Sequence, residues 1–188
     1  SSEDIEDFSL EELLNVEITT AGKQAEKISD IPDSVVLVTR EDIETYGYMT
    51  LEEILANIPG LYVTNDYFFR GNVGIRGFWS VTPNRNVIIL VNGIAQTDNV
   101  MDTRPMQHIN MPVEAIDRIE VVRGPMSVIY GTGAFFGVIN IKTNIVEEED
   151  HKNDMISFSY GSHKTMKVAV RSSGKQGDFK YAFTGSYW

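Results

Sequence analysis

The sequence contains no cysteine. That excludes a disulfide framework and thiolate metal sites, and it leaves the compartment open, since a protein in an oxidising space can do without thiols. Histidine is scarce, at three residues in 188. They are scattered, so neither a Ser-His-Asp grouping nor a zinc pattern can be built on them. Positive charge is in deficit: 16 Lys and Arg against 27 Asp and Glu give a net charge of −11. Phosphate contacts need a basic face, which argues against a nucleic-acid partner, and the same sign argues against electrostatic docking on anionic lipid. No apolar run approaches the ~20 residues of a spanning helix. The N-terminus also lacks the basic-then-apolar pattern of a secretory signal.

What is present is enough hydrophobic residue, 42%, for one domain with a proper core. Residues 1–7 are acidic and polar. Ser9 to Glu12 (SLEE) fits a capping box that opens a helix over residues 10–15. Residues 16–21 (VEITTA) alternate and favour an edge strand or an extended linker. A polar connector over 22–33 leads to SVVLV (34–38), a buried strand. Thr39 caps a helix ending at Gly47, and Thr50 with Glu53 repeats the capping box. The second helix places Leu51, Ile54, Leu55 and Ile58 on one face, stops at Pro59-Gly60, and gives way to a strand over 61–64. These two helices are expected to cover one side of a small sheet.

Residues 65–83 change character, with Tyr67, Phe68, Phe69, Phe78 and Trp79 among Arg70, Arg76 and three glycines. Such a stretch is either an apolar cluster under a loop or a binding face carried on one. NVIILV (86–91) is the most apolar strand and is expected at the centre of the sheet. Asn92-Gly93 suits a type I′ turn, with 94–96 folding back. Residues 97–111 form a long loop whose Asp98, Asp102 and His108 match no calcium or zinc spacing, so no metal site is assigned. A helical turn over 112–117 follows.

The chain is organised around residues 119–143, IEVVRGPMSVIYGTGAFFGVINIKT: strand, Gly-Pro stop, connector, strand. Charges beside buried strands need partners, so Glu120 and Arg123 are expected either to pair with each other or to face a wall supplied from outside. Gly131, Gly133 and Gly137 superficially suggest a phosphate loop. A strand rather than a helix follows them, the spacing is not GxGxxG, and no GKS or GKT is present, so a nucleotide-binding enzyme is not supported.

IEVVRGPMSVIYG followed by GVINIKT closely resembles the plug signature of TonB-dependent outer-membrane receptors. LEEILANIPGLYV (51–63), IRG (75–77) and VIILVNG (87–93) match the same family in the same order, so the likeness spans residues 15–143. Phe135-Phe136 departs from the smaller residues expected before GVINI. The resemblance implies a protein of the Gram-negative outer membrane whose plug gates a β-barrel, and a mature chain whose signal has been removed. It implies no catalysis and no cofactor. It makes Val16, Glu17, Ile18, Thr19, Thr20 and Ala21 the TonB box, offered to periplasmic TonB by strand addition. It makes Tyr67, Phe68, Phe69, Arg70, Trp79, Met101, Asp102, Arg104 and His108 the ligand-facing apical residues. The ligand would be a nutrient such as a ferric siderophore, haem, cobalamin, nickel chelate or oligosaccharide. Arg76, Glu120 and Arg123 would hold the plug to the barrel wall.

Residues 145–153 form an acidic linker. Beyond it the period becomes two: Ile156, Phe158 and Tyr160; Met166, Val168 and Val170; then Phe179, Tyr181, Phe183 and Tyr187, each alternating with small or polar residues. Each run fits a barrel strand facing lipid. Barrels of this kind need about 22 strands, so 154–188 is expected to be the start of a wall. In isolation it should be disordered or pair with another copy through its open edges. The expected class is α+β: a mixed-sheet plug (23–144) after a tail (1–22), then an incomplete antiparallel meander. The alternative is a soluble periplasmic or secreted ligand-binding module without transport.

Overall fold

The computed structural model describes residues 17–18, 26–27, 34–65, 71–79, 84–96, 109, 111–144, 153–176 and 179–188. Near the start, β1 (Glu17–Ile18) pairs antiparallel with β2 (Glu26–Lys27). The helix expected over 10–15 lies outside the described residues.

β3 (Ser34–Thr39) runs directly into α1 (Arg40–Tyr46). The capping box forms as its sequence demands: Asp42 N–H donates to Thr39 Oγ1 at 3.2 Å, and Thr39 N–H donates to Asp42 Oδ2 at 2.8 Å. Gly47 closes the helix at φ 66°, a left-handed position glycine adopts without strain. Thr50 and Glu53 cap α2 (Leu51–Ala56) in the same way, burying Leu51, Ile54 and Leu55. β4 (Leu61–Asn65) then pairs with β5 (Gly71–Ile75) in a separate two-stranded sheet. GNVGI was expected to belong to an aromatic loop. Its two glycines hid a strand that is buried at every position.

β6 (Val87–Val91), β7 (Ile94–Ala95), β8 (Ile116–Arg123) and β9 (Gly137–Thr143) join β3 in a five-stranded sheet of order β3-β8-β9-β6-β7, with β6 and β9 parallel. Asn92 and Gly93 adopt φ 50° and 80°, as a primed hairpin turn requires. The centre belongs to β9 rather than to β6, which has only the two-residue β7 between it and the edge. β9 is buried on both faces from Gly137 to Ile141, so a run broken by Asn140 was more central than the cleaner apolar one.

The pleat divides the core. Val87, Ile89, Ile119, Val121, Ile139 and Ile141 pack with Ile43, Leu51, Ile54 and Leu55 of the two helices. Ile88, Leu90, Val122 and Val138 lie on the other face, under Met126 and Ala134, which flank the short α3 (Ser127–Tyr130). Gly137 sits where β9 crosses tightly: a Cβ there would run into the Val122 carbonyl and the Ile75 side chain.

β10 (Asn153–Tyr160), β11 (Met166–Gln176) and β12 (Phe179–Tyr187) form an antiparallel sheet of their own, with β11 in the middle. β11 pairs with both neighbours along most of its length. Phe158, Val168 and Tyr187 share one row, and all are exposed. Lys167, Ala169, Arg171 and Ser173 point the other way and are buried. The last strands therefore do not form the hydrophobic centre of the mixed sheet; they present small and charged residues inward.

Candidate functional site

Of the apical residues expected to meet a ligand, Tyr67, Phe68, Phe69, Arg70, Met101, Asp102, Arg104 and His108 lie outside the described residues. Trp79 is described. It follows a tight turn at the end of β5, where Ile75 and Phe78 exchange backbone hydrogen bonds of 2.9 and 3.0 Å. Arg76 and Gly77 supply the turn at φ 53° and 81°. This geometry pushes Phe78 and Trp79 outward, to 60% and 56% exposure. Phe78 stacks on Phe136 with centroids 5.0 Å apart, and Phe136 meets Phe135 edge to face, also at 5.0 Å. The two phenylalanines that departed from the family pattern thus build an aromatic ledge beside an open groove of about 270 Å³.

Asn84, which composition did not single out, fastens this region. Its Oδ1 accepts from Val73 N–H at 2.6 Å, its Nδ2 donates to the Gly71 carbonyl at 3.2 Å, and its own N–H donates to Asn72 Oδ1 at 3.1 Å. Asn84 is buried at φ 52°, a conformation asparagine adopts more readily than most residues.

The pairing of Glu120 with Arg123, one of the two alternatives, is not made. Three residues apart on one strand, they point to opposite faces of the sheet. Glu120 is fully buried opposite Asn140, and its Oε1 accepts from Arg118 Nε at 3.0 Å. Arg123 instead donates to Ser34 Oγ at 2.6 Å and to the Pro59 carbonyl at 2.5 Å, tying β8 to β3 and to the end of α2. Arg76 is exposed, with Nη2 3.4 Å from the Arg123 carbonyl. Of the six residues assigned to strand addition, Glu17 and Ile18 form β1, and Val16, Thr19, Thr20 and Ala21 lie outside the described residues.

A second polar centre was missed altogether. It lies between β11 and the 3-10 turn Val113–Ala115 that precedes β8. Lys167 Nζ is 2.9 Å from Glu114 Oε1 and 3.4 Å from the Met49 carbonyl, and it lies 4.8 Å from the ring centroid of Trp188. Arg171 Nη1 stands 3.7 Å from Glu44 Oε1 and 3.4 Å from the Glu114 carbonyl. From the other side Arg40 donates to the Val113 and Glu114 carbonyls, each at 3.1 Å, and to Asn144 Oδ1 at 2.8 Å. Burial, and secondarily the nearby Arg171 charge, pull the Arg40 pKa down to about 10. The only sequence signal was two cations on the inward register of a strand whose other inward residues are small.

The family profile described as TonB-dependent Receptor Plug Domain matches residues 27–138. The chain belongs to the TonB-dependent receptor family. It is 34% identical over 175 residues to the iron-regulated outer membrane virulence protein of Vibrio cholerae, covering 89% of this chain and 25% of that protein. It is 33% identical to the vitamin B12 transporter BtuB of Vibrio vulnificus, covering 86% of this chain and 25% of that protein. Among solved structures, the alcaligin outer membrane receptor FauA from Bordetella pertussis superposes with a TM-score of 0.74 at 21% identity, over 98% of this chain and 31% of that one. The chain thus spans about a quarter of the length of the curated relatives it matches. The fold agrees with a receptor plug followed by the start of its barrel, and the family places it in the outer membrane of a Gram-negative bacterium.

Proposed function

We propose that this chain is the gate of an outer-membrane active transporter. The mixed sheet occludes the barrel lumen, and β10–β12 are the first staves of the wall. One observation carries the reading: the three-stranded sheet turns its charged and small residues onto the plug and leaves Ile156, Phe158, Val168 and Tyr187 exposed, which suits lipid outside and a polar stopper inside. That outward row also weighs against a soluble binding module.

The ligand settles on the apical side, on Phe78 and Trp79 together with residues 67–70 and 101–108. An exposed aromatic ledge beside Arg76 suits an anionic metal chelate better than a neutral sugar, and one relative is named as a transporter of vitamin B12, a metal-bearing ligand. Residues 16–21 engage TonB by strand addition, a mode that suits a segment already in strand conformation at Glu17 and Ile18. Arg76 and Arg123 are the plug's contacts with later wall strands, with Glu120 stiffening β8 behind them. The complete receptor, challenged in an uptake assay with ferric siderophores, haem, cobalamin, nickel chelates and oligosaccharides, tests the reading. Uptake of a chelate, lost on deletion of residues 16–21 and weakened several-fold by Trp79→Ala, is the expected result. Uptake indifferent to both changes overturns it.

A further inference from the structure

We propose that Glu114 is a latch that holds the plug against the first wall hairpin in the resting receptor, closed by Lys167 and Arg171 of β11. The proposal rests on the reading of the mixed sheet as a lumen plug.

The contacts that join the last strands to the plug run in one direction. The cations come from the wall strand, while the acceptors — the Glu114 carboxylate and carbonyl, the Glu44 carboxylate and the Met49 carbonyl — come from the plug. These are contacts across a seam, not within either part. The seam is otherwise loosely filled: Ser157, Ser159 and Met155 line a cleft of about 290 Å³ next to Lys167, and Ala182 and Thr184 line another of about 250 Å³. Apolar burial therefore contributes little there, and the charged contacts carry the adhesion.

Burial makes those contacts strong. The Lys167 side chain is 3% exposed and that of Glu114 13%, so water screens the pair weakly and removal of one partner strands the other. The plug side is prepared in advance. The Glu114 carbonyl accepts from Arg40 and from Asn144 Nδ2, at 3.1 and 2.9 Å, which fixes the turn before the wall arrives. Arg40, Lys167 and Arg171 are gathered around Glu44, Glu114 and Asp117. Neutralising Glu114 strands Lys167, whose remaining contacts are the Met49 carbonyl and the Trp188 ring, whereas Glu114 without Lys167 still has the Arg40 charge nearby. An ionic seam beside open clefts can also be opened by exchange with water, which an apolar seam could not match.

The asymmetry supplies the test. The full-length receptor is placed in the outer membrane as wild type, Glu114→Gln, Lys167→Met and the double variant, with barrel assembly checked by heat-dependent migration. Leakiness is read as sensitivity to vancomycin without ligand. Glu114→Gln is expected to raise leakage at least about tenfold, Lys167→Met to raise it less, and the double variant to fall below Glu114→Gln because the stranded cation is gone. Single variants as tight as wild type, or a double variant whose leakage equals the product of the two singles, overturn the latch. If Glu114→Gln fails to assemble, Lys167→Met and the double variant decide: tightness in both overturns it. A receptor stripped of residues 23–144 that still excludes vancomycin overturns the plug reading itself, and the latch with it.

Discussion

On β9 every residue from Gly137 to Ile141 is buried, whereas on β11 burial alternates from Met166 to Ser173, and the buried members of that stretch are Lys167, Ala169, Arg171 and Ser173. The two central strands of the molecule are thus built by opposite rules. β9 has protein on both faces and is apolar on both, broken only by Asn140, whose Oδ1 accepts from Gly93 N–H at 3.1 Å. β11 has the plug on one face and solvent on the other in this chain, yet its apolar residues take the solvent side. In water that arrangement is upside down; facing lipid it is the stable one. Inversion of the usual pattern, rather than hydrophobicity itself, distinguishes wall from plug.

The comparison is broken most severely at Gly137. Because a Cβ there meets the Val122 backbone carbonyl, Gly137→Val has no side-chain rotation that relieves the clash, and β8 must part from β9. A loss on the order of 5 kcal/mol is expected, seen as failure of the chain to show a cooperative denaturant transition. An unchanged midpoint would mean that the two strands are not held this closely.

The contrast between the faces is sharpened by a pair of substitutions. Leu55, with no exposed surface, fills the space between α2 and the sheet, so Leu55→Ala should lower stability by about 2–5 kcal/mol in any solvent. Ile156 is 81% exposed, and Ile156→Lys should change denaturant stability of the aqueous chain by less than about 0.5 kcal/mol. Refolded into bilayers as part of the full barrel, the same substitution should cost about 2–4 kcal/mol if residue 156 sits near the membrane midplane. Equal costs in water and bilayer would remove the lipid-facing assignment.

Capping boxes, the Asn92-Gly93 hairpin and the period-two runs were legible because each is a local rule: a hydroxyl three residues from a carboxylate, two residues at positive φ, alternation along one strand. The resemblance of residues 119–143 to a plug was equally local. What stayed hidden depended on partners distant in the chain. β5 is a strand because Asn84 and β4 hold it, not because GNVGI favours one. Glu120 and Arg123 looked like neighbours in sequence, but the pleat sets them on opposite faces. The Glu114 cluster joins residues separated by more than fifty positions, and nothing in either segment alone names the other.

The finest test of the two-faced plug sheet is electrostatic and concerns Tyr130, at the end of α3 on the face that buries Glu120. Burial raises its pKa above 10.0, and the Glu120 charge raises it further. A phenol whose folded pKa is raised keeps its proton where the unfolded chain has lost it. Its contribution to stability is thus fully present below pH 10 and disappears as pH climbs through the folded value. Arg40 works the other way: its pKa, lowered to about 10, makes the folded state relatively more favourable as pH rises beyond that point. Tyr48, whose pKa is also raised, chiefly by burial, acts in the same direction as Tyr130, and the alkaline slope of the wild type sums these opposing effects. Tyr130→Phe removes one of them, so stability of the variant should fall less steeply above pH 10 than that of the wild type, whatever offset the lost hydroxyl produces at neutral pH. An ultraviolet titration of the tyrosines in parallel should show one late-titrating phenol missing. Identical slopes would mean that Tyr130 ionises as freely in the folded chain as in the unfolded one, and that the charge of Glu120 does not reach across that face.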